Sequence, residues 1–165
     1  MSNAPEPDDP LALQAQLCFA VYSASRALTG LYRELLAGTG LTYPQYLVML
    51  VLWEQGTVPV KELGERLRLD SGTLSPLLRR LETSGLVRRI RSSQDERVVR
   101  VALTQRGTAL RDSVEHIPHH VLCSSGIPEN RIPELRSLLE RVTSSAEAAS
   151  VEVRASTEPT SNKEH

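Results

Sequence analysis

A chain of 165 residues with 40% apolar and only 4% aromatic side chains holds one domain's worth of core, and its reliance on leucine and valine favours a helical build over a β-sandwich. No run of 18 apolar residues occurs, and the opening MSNAPEPDDP has neither a basic stretch nor an apolar centre. Neither a membrane span nor a secretory leader is expected, and the cytoplasm is the expected location. The net charge of −1 conceals a basic block: residues 61–106 carry 11 Lys/Arg against 6 Asp/Glu, while the segments on either side each sum to −3.

Taken in chain order, residues 1–10 read as a disordered lead-in rich in proline and acid. A proline-free stretch follows, with Leu17, Val21, Leu28, Leu31 and Leu35 near helical spacing. It predicts a long helix over about 11–37, stopped by Gly38 and Gly40. Thr42 and Gln45 have capping-box spacing around Pro44. The apolar run they introduce, ending at Gly56, has no polar side and predicts a buried central helix. A third helix is expected over about 60–69. A fourth, over about 72–84, is capped by Asp70 or Ser71 and stopped by Gly85.

The period then changes. Leu86–Arg91 and Val98–Leu103 read as two strands around the polar turn SSQDE, which is a hairpin. Thr104 should cap a fifth helix reaching about Leu122 with a bend at Pro118, and a last helix should span about 129–153 before a polar tail over 155–165. The expected fold is mainly α with a small β-hairpin wing. It forms one domain over 11–154, with a winged helix-turn-helix over about 42–104 between helices, about 11–37 and 105–153, that pair two copies into a dimer.

Helix, short turn, helix and ribbon coincide with the basic block. On the fourth helix Leu74, Leu77, Leu78 and Leu81 share the core side, leaving Ser75, Pro76 and Arg79 opposite, with Thr73 and Arg80 at the margins and Ser71 at the start. Small hydroxyl residues at a helix N-terminus permit close approach to a major groove of double-stranded operator DNA, and Arg79 or Arg80 can reach a guanine edge. The wing adds Arg88, Arg89, Arg91 and Arg97, suited in shape and charge to a narrow minor groove.

The segments LTYPQYLVMLVLWE, LDSGTLSPLLRRLETSGLVRR and SSQDERVVRVALTQRG resemble the MarR family, and within it the organic-hydroperoxide-resistance regulators, over about residues 11–150. The resemblance implies that Asp95 of the D-x-R supports Arg97 in the minor groove. It also implies that Leu103–Gly107, an L-T-x-x-G, opens the fifth helix.

Cys18 lies on the first helix. On a helical wheel Tyr22 stands 40° to one side of it and Tyr32 40° to the other, so the three share a face. Fourteen residues of helix span about 21 Å, so Tyr32 cannot touch the Cys18 of its own helix, whereas an antiparallel partner could bring the two together. The resemblance implies that Cys18 is the peroxide-reactive thiol, with Tyr22, Tyr32 and Tyr43 lining its pocket across a homodimer. It further implies that organic hydroperoxide is the inducer, and that Phe19, Leu47, Val48 and Val51 favour alkyl hydroperoxides. Cys123, late in the chain beside Ser124-Ser125-Gly126, resembles the resolving cysteine of two-Cys members, which would form an intersubunit disulfide with Cys18.

His116, His120 and Cys123 would share a helix face if the helix ran through Pro118. Solvent-facing histidines are the preferred account, and no metal or cofactor is expected. Three alternatives stand beside the redox repressor: a regulator binding a small aromatic ligand between helical and winged parts, a thiol peroxidase, and a structural DNA-binding protein that no oxidant releases. No arginine adjoins Cys18 in sequence to stabilise a leaving oxyanion, so a non-enzymatic role is favoured.

Overall fold

The computed structural model describes residues 9–91 and 98–157. Its elements, in order, are α1 (Leu17–Leu36), α2 (Tyr43–Gln55), β1 (Val58–Pro59), α3 (Val60–Leu67), α4 (Ser71–Thr83), β2 (Val87–Arg91), β3 (Val99–Leu103), α5 (Gln105–Val114), α6 (Ile117–Ser124) and α7 (Ile132–Thr157). The chain falls into two compact units, Met1–Val121 and Leu122–His165.

In the first unit the core is built around α2, where Tyr46, Val48, Met49 and Leu52 are buried. Leu63 of α3, Leu74, Leu78 and Leu81 of α4, and Leu86, Val87 and Val101 of the sheet close over it, with Leu36, Val114 and Ile117 completing the cluster. The capping box of α2 is formed as expected: the Gln45 side chain accepts from the Thr42 backbone N–H at 2.9 Å, and Pro44 lies in the first turn. Leu77, expected to face the core with the other α4 leucines, is only half-buried.

The hairpin is present with Val87 opposite Leu103 and Arg91 opposite Val99, and its tip lies outside the described residues. A third strand goes beyond the expected hairpin. Val58 and Pro59 add antiparallel to Val101 and Arg100, giving the order β1-β3-β2, and Arg100 Nη2 donates to the Thr57 carbonyl at 2.9 Å. Two residues are too short for any alternation to be read in sequence.

The expected single fifth helix is two helices. The chain turns at Glu115–His116, and α6 restarts at Ile117 with Pro118 as its second residue. A proline there lacks only an N–H that has no intrahelical partner, so Pro118 opens a helix and does not bend one. The break also removes the shared face that His116, His120 and Cys123 would have on a continuous helix. Among the described residues no group of three or more His, Cys, Asp or Glu could hold a metal ion.

α5 starts hard against the wing. Thr104 Oγ1 accepts from the Gly107 N–H at 3.0 Å and also lies 2.6 Å from the Gly85 carbonyl, to which it donates. A Cβ on Gly107 would collide with the Leu86 carbonyl, so only glycine permits this approach. The indole of Trp53 on α2 donates to the Gly107 carbonyl at 2.9 Å, tying a third element to the same point. That is the physical content of the L-T-x-x-G spacing.

α1 begins six residues later than the sequence pattern suggests, after a 3₁₀ turn at Leu13–Ala15. Only Leu36 at its far end is buried, while Leu17, Phe19, Val21 and Leu28 are 39–63% exposed. In the second unit α7 likewise exposes Leu138, Leu139 and Val142, and none of its residues over 132–156 is buried. No single helix among the described residues is long and apolar enough to cross a membrane.

Candidate nucleic-acid interface and thiol site

The reading head is assembled by a tight turn. Arg68 adopts a left-handed conformation (φ 52°) that ends α3, and the Leu69 N–H returns to the Gly64 carbonyl at 2.9 Å. Gly64 lets this turn close: a Cβ there would stand 2.9 Å from the Leu69 carbonyl oxygen. Asp70, not Ser71, caps α4. Its Oδ1 accepts from the Thr73 N–H at 2.8 Å and its Oδ2 from the Thr73 hydroxyl at 3.1 Å. These two donors hold the Asp70 carboxyl below the ordinary carboxylate range.

The result is a helix whose three buried leucines fix its rotation and whose outer face is open. Ser71, Thr73, Ser75, Pro76, Arg79 and Arg80 are all exposed, as is Arg88 on β2. Thr73 has its hydroxyl proton engaged by Asp70, so it faces outward as an acceptor. Asp95 and Arg97 lie outside the described residues.

Arg89 has a different position from the one its sequence neighbours suggest. Its backbone N–H donates to Glu82 Oε1 at 3.2 Å, its Nε is 3.6 Å from Glu82 Oε2, and its Nη2 donates to the Ser75 carbonyl at 3.4 Å. It braces β2 against both ends of α4. An open groove of about 420 Å³ between α3, α4 and the wing has Arg89 on its wall, with Ser75, Leu78 and Val99. Nothing in the periodicity of either element pairs residue 82 with residue 89.

The thiol region is split within one chain. Cys18, the second residue of α1, is exposed and free. Tyr22, one turn on, is 56% exposed, and its hydroxyl oxygen accepts from Arg26 Nη1 at 3.1 Å while the guanidinium carbon sits 5.6 Å from its ring centre. Tyr32 and Tyr43 do come together, with ring centres 4.4 Å apart. They are joined by Tyr46, 5.7 Å from Tyr32. Tyr46 is missing from the expected pocket, although Y-P-Q-Y places it one turn after Tyr43. It lies in turn 6.3 Å from Trp53.

Burial, then the neighbouring Tyr43 and Tyr46 phenols, push the Tyr32 hydroxyl up to about 12, and burial raises Tyr43 and Tyr46 as well. At neutral pH all three are protonated donors. Val48, expected near the pocket, is fully buried in the core and lines no open site, whereas Phe19 stands 39% exposed on α1. Cys123 is exposed on α6.

Residues 30–114 match the family described as transcriptional regulator SarA/Rot. Over 137 residues the chain is 53% identical to the HTH-type transcriptional regulator TtmR of Methylorubrum extorquens, covering 83% of this chain and 69% of that one. It is 45% identical over 131 residues to the organic hydroperoxide resistance transcriptional regulator of Bacillus subtilis, covering 79% and 89%. Among solved structures, AbfR in its reduced form bound to DNA superposes with a TM-score of 0.69 at 36% identity, covering 81% and 93%. AbfR has also been solved with a disulfide formed (TM-score 0.59, 38% identity, 79% and 92% covered).

Proposed function

The chain belongs to the SarA/Rot family of winged-helix transcriptional regulators, and on that premise we propose that it is a hydroperoxide-released repressor acting as a homodimer in the cytoplasm. The observation that carries this reading is the division of the thiol site. One chain supplies an exposed Cys18 on an apolar, uncovered helix, and about 21 Å further along that helix a half-buried phenol, Tyr32, which stacks on Tyr43 of α2.

Antiparallel pairing of two α1 helices joins the halves. With Tyr32 of one copy over Cys18 of the other, the crossing point falls at Ser25. Ser25 is itself small, and Val21, Tyr22, Leu28 and Thr29 share its face of the helix. The exposed Leu17, Val21 and Leu28 are then covered. The phenols of Tyr32 and Tyr43, together with Tyr22, donate to the sulfur and favour its thiolate.

The thiolate attacks the terminal oxygen of an organic hydroperoxide. The O–O bond breaks, a sulfenic acid forms, and the alkoxide leaves and takes a proton to become the alcohol. The Cys123 thiol of the second copy then displaces water from the sulfenic acid to form a disulfide, and the strain moves the two reading heads out of register with the operator. In the reduced state Ser71, Thr73, Ser75, Pro76, Arg79 and Arg80 face the major groove. Arg88 and the Asp95–Arg97 pair of the wing contact the backbone and minor groove. The expected target is an organic-hydroperoxide-resistance gene.

Operator binding is measured before and after a stoichiometric dose of cumene hydroperoxide. Release of wild type with retention of Cys18→Ser is expected; release of both would end the sensing assignment. On a non-reducing gel the oxidised wild type should run as a covalent dimer and Cys123→Ser as a monomer. A monomer band for wild type would remove Cys123 from the mechanism and leave a small-molecule thiol to resolve Cys18.

A further inference from the structure

Between Leu17 and Tyr32, α1 carries a single charged residue, Arg26. A helix face simply solvated by water mixes signs, yet here a lone cation sits among exposed apolar and small side chains, and among the described residues it has no acidic partner. It makes two contacts with Tyr22: the hydrogen bond of 3.1 Å to the phenol oxygen, and the guanidinium over the ring at 5.6 Å. Two contacts of different kind to one side chain fix that ring's position, which a hydrogen bond alone would leave free to swing.

The direction of this arrangement follows from helix geometry. Cys18, Tyr22 and Arg26 are spaced by four, and helical side chains lean toward the N-terminus. Arg26 reaches back onto Tyr22, and Cys18 lies one turn further back on the same face. A phenol oxygen that accepts from a guanidinium keeps its own proton for donation, and the cation makes that O–H the stronger donor. One turn back along the face, Cys18 carries a sulfur that can accept that proton.

We propose that Arg26 is a positioning residue for the thiol, holding and polarising the Tyr22 hydroxyl so that it donates to the Cys18 sulfur and favours the thiolate. This deepens the redox reading given above and rests on it for its biological meaning. The guanidinium acts through the phenol, about two helical turns from the sulfur along the axis, and does not touch the reacting atoms.

The test uses full-length reduced protein carrying Cys123→Ser, so that Cys18 is the one thiol, and follows alkylation by iodoacetamide across pH. Arg26→Gln and Tyr22→Phe should each move the half-reaction point to higher pH and slow alkylation at neutral pH roughly two- to tenfold, the loss of one hydrogen bond. Because the arginine acts through the phenol, the double variant should be no slower than the slower single one, and Arg26→Lys should recover part of the rate. An Arg26→Gln profile that overlays wild type, or effects of the two substitutions that multiply in full, would overturn the assignment. Operator binding by reduced Arg26→Gln checks that the dimer is intact. If that variant does not fold, a Tyr22→Phe profile that overlays wild type would overturn the assignment equally.

Alkylation reads the thiol alone. Release of Cys18→Ser from operator by hydroperoxide would sink the sensing reading while leaving the arginine result standing, so the two failures are told apart.

Discussion

The reading head and the N-terminal helix are built from similar materials and end in opposite conditions. In the head, Leu63, Leu74, Leu78 and Leu81 are each at most 1% exposed, the turn between α3 and α4 is closed by Gly64, and Glu82, Arg89 and Ser75 lock the wing to the recognition helix. In α1 the same residue type stands in the open, Leu17 at 63% and Leu28 at 40%. A single chain thus covers the leucines of its helix-turn-helix and leaves the apolar residues of α1 uncovered. On the proposed reading, the helix-turn-helix is built within one protomer, whereas the thiol site needs the pair.

That contrast can be broken experimentally at six positions. The largest effect on stability belongs to the head: Leu63→Ala should lose about 2–5 kcal/mol in urea unfolding, because a fully buried leucine leaves a cavity. Leu17→Ala, by contrast, should cost the dilute protein less than about 0.5 kcal/mol. Equal losses at the two sites would mean that α1 is not an uncovered face. Next, Leu28→Glu should convert a dimer to a monomer in sedimentation. Operator affinity should fall by at least about tenfold, since both half-sites no longer bind together. Retention of a dimer by this variant would put the pairing surface elsewhere.

Arg89→Ala should weaken operator binding by only about two- to fivefold, in line with a part-exposed ion pair that holds the wing in place. A change in base preference would instead make it a direct reader. The smallest effects come from titration. Tyr32 has its folded-state value raised from 10.0 to about 12, so its burial supports the fold fully below pH 10, and this support is lost as pH climbs toward 12. Asp70 has the opposite sign. Its lowered value means that the cap contributes above the ordinary carboxylate range, near 3.8, and fades as pH drops below it. Thermal melts of Tyr32→Phe and Asp70→Asn against pH should lose these two slopes at the alkaline and acid ends respectively.

Much of this is legible in the sequence. Capping at Thr42, Asp70 and Thr104 and the change of period at Leu86 place most helices and the hairpin within a few residues, because those signals are local. What escapes is set by contacts between distant residues. β1 exists because β3 offers it an edge, Arg89 lies back across α4 because Glu82 waits seven residues earlier, and Pro118 starts a helix because the chain has already turned at Glu115. A helical wheel correctly puts Cys18 and Tyr22 on one side of α1. It has no means of showing that Arg26 takes the tyrosine's oxygen.

The fit of Gly107 against the Leu86 carbonyl has a mechanical consequence. With Trp53 bonded to the same residue and Arg106 Nη1 donating to the Ser84 carbonyl at 2.8 Å, the joint between α5 and the base of the wing contains no slack. A joint without play cannot absorb a rotation; it transmits it. A twist applied to α5 is therefore expected to carry through to the base of the wing, and replacing Gly107 by any bulkier residue should push the joint open.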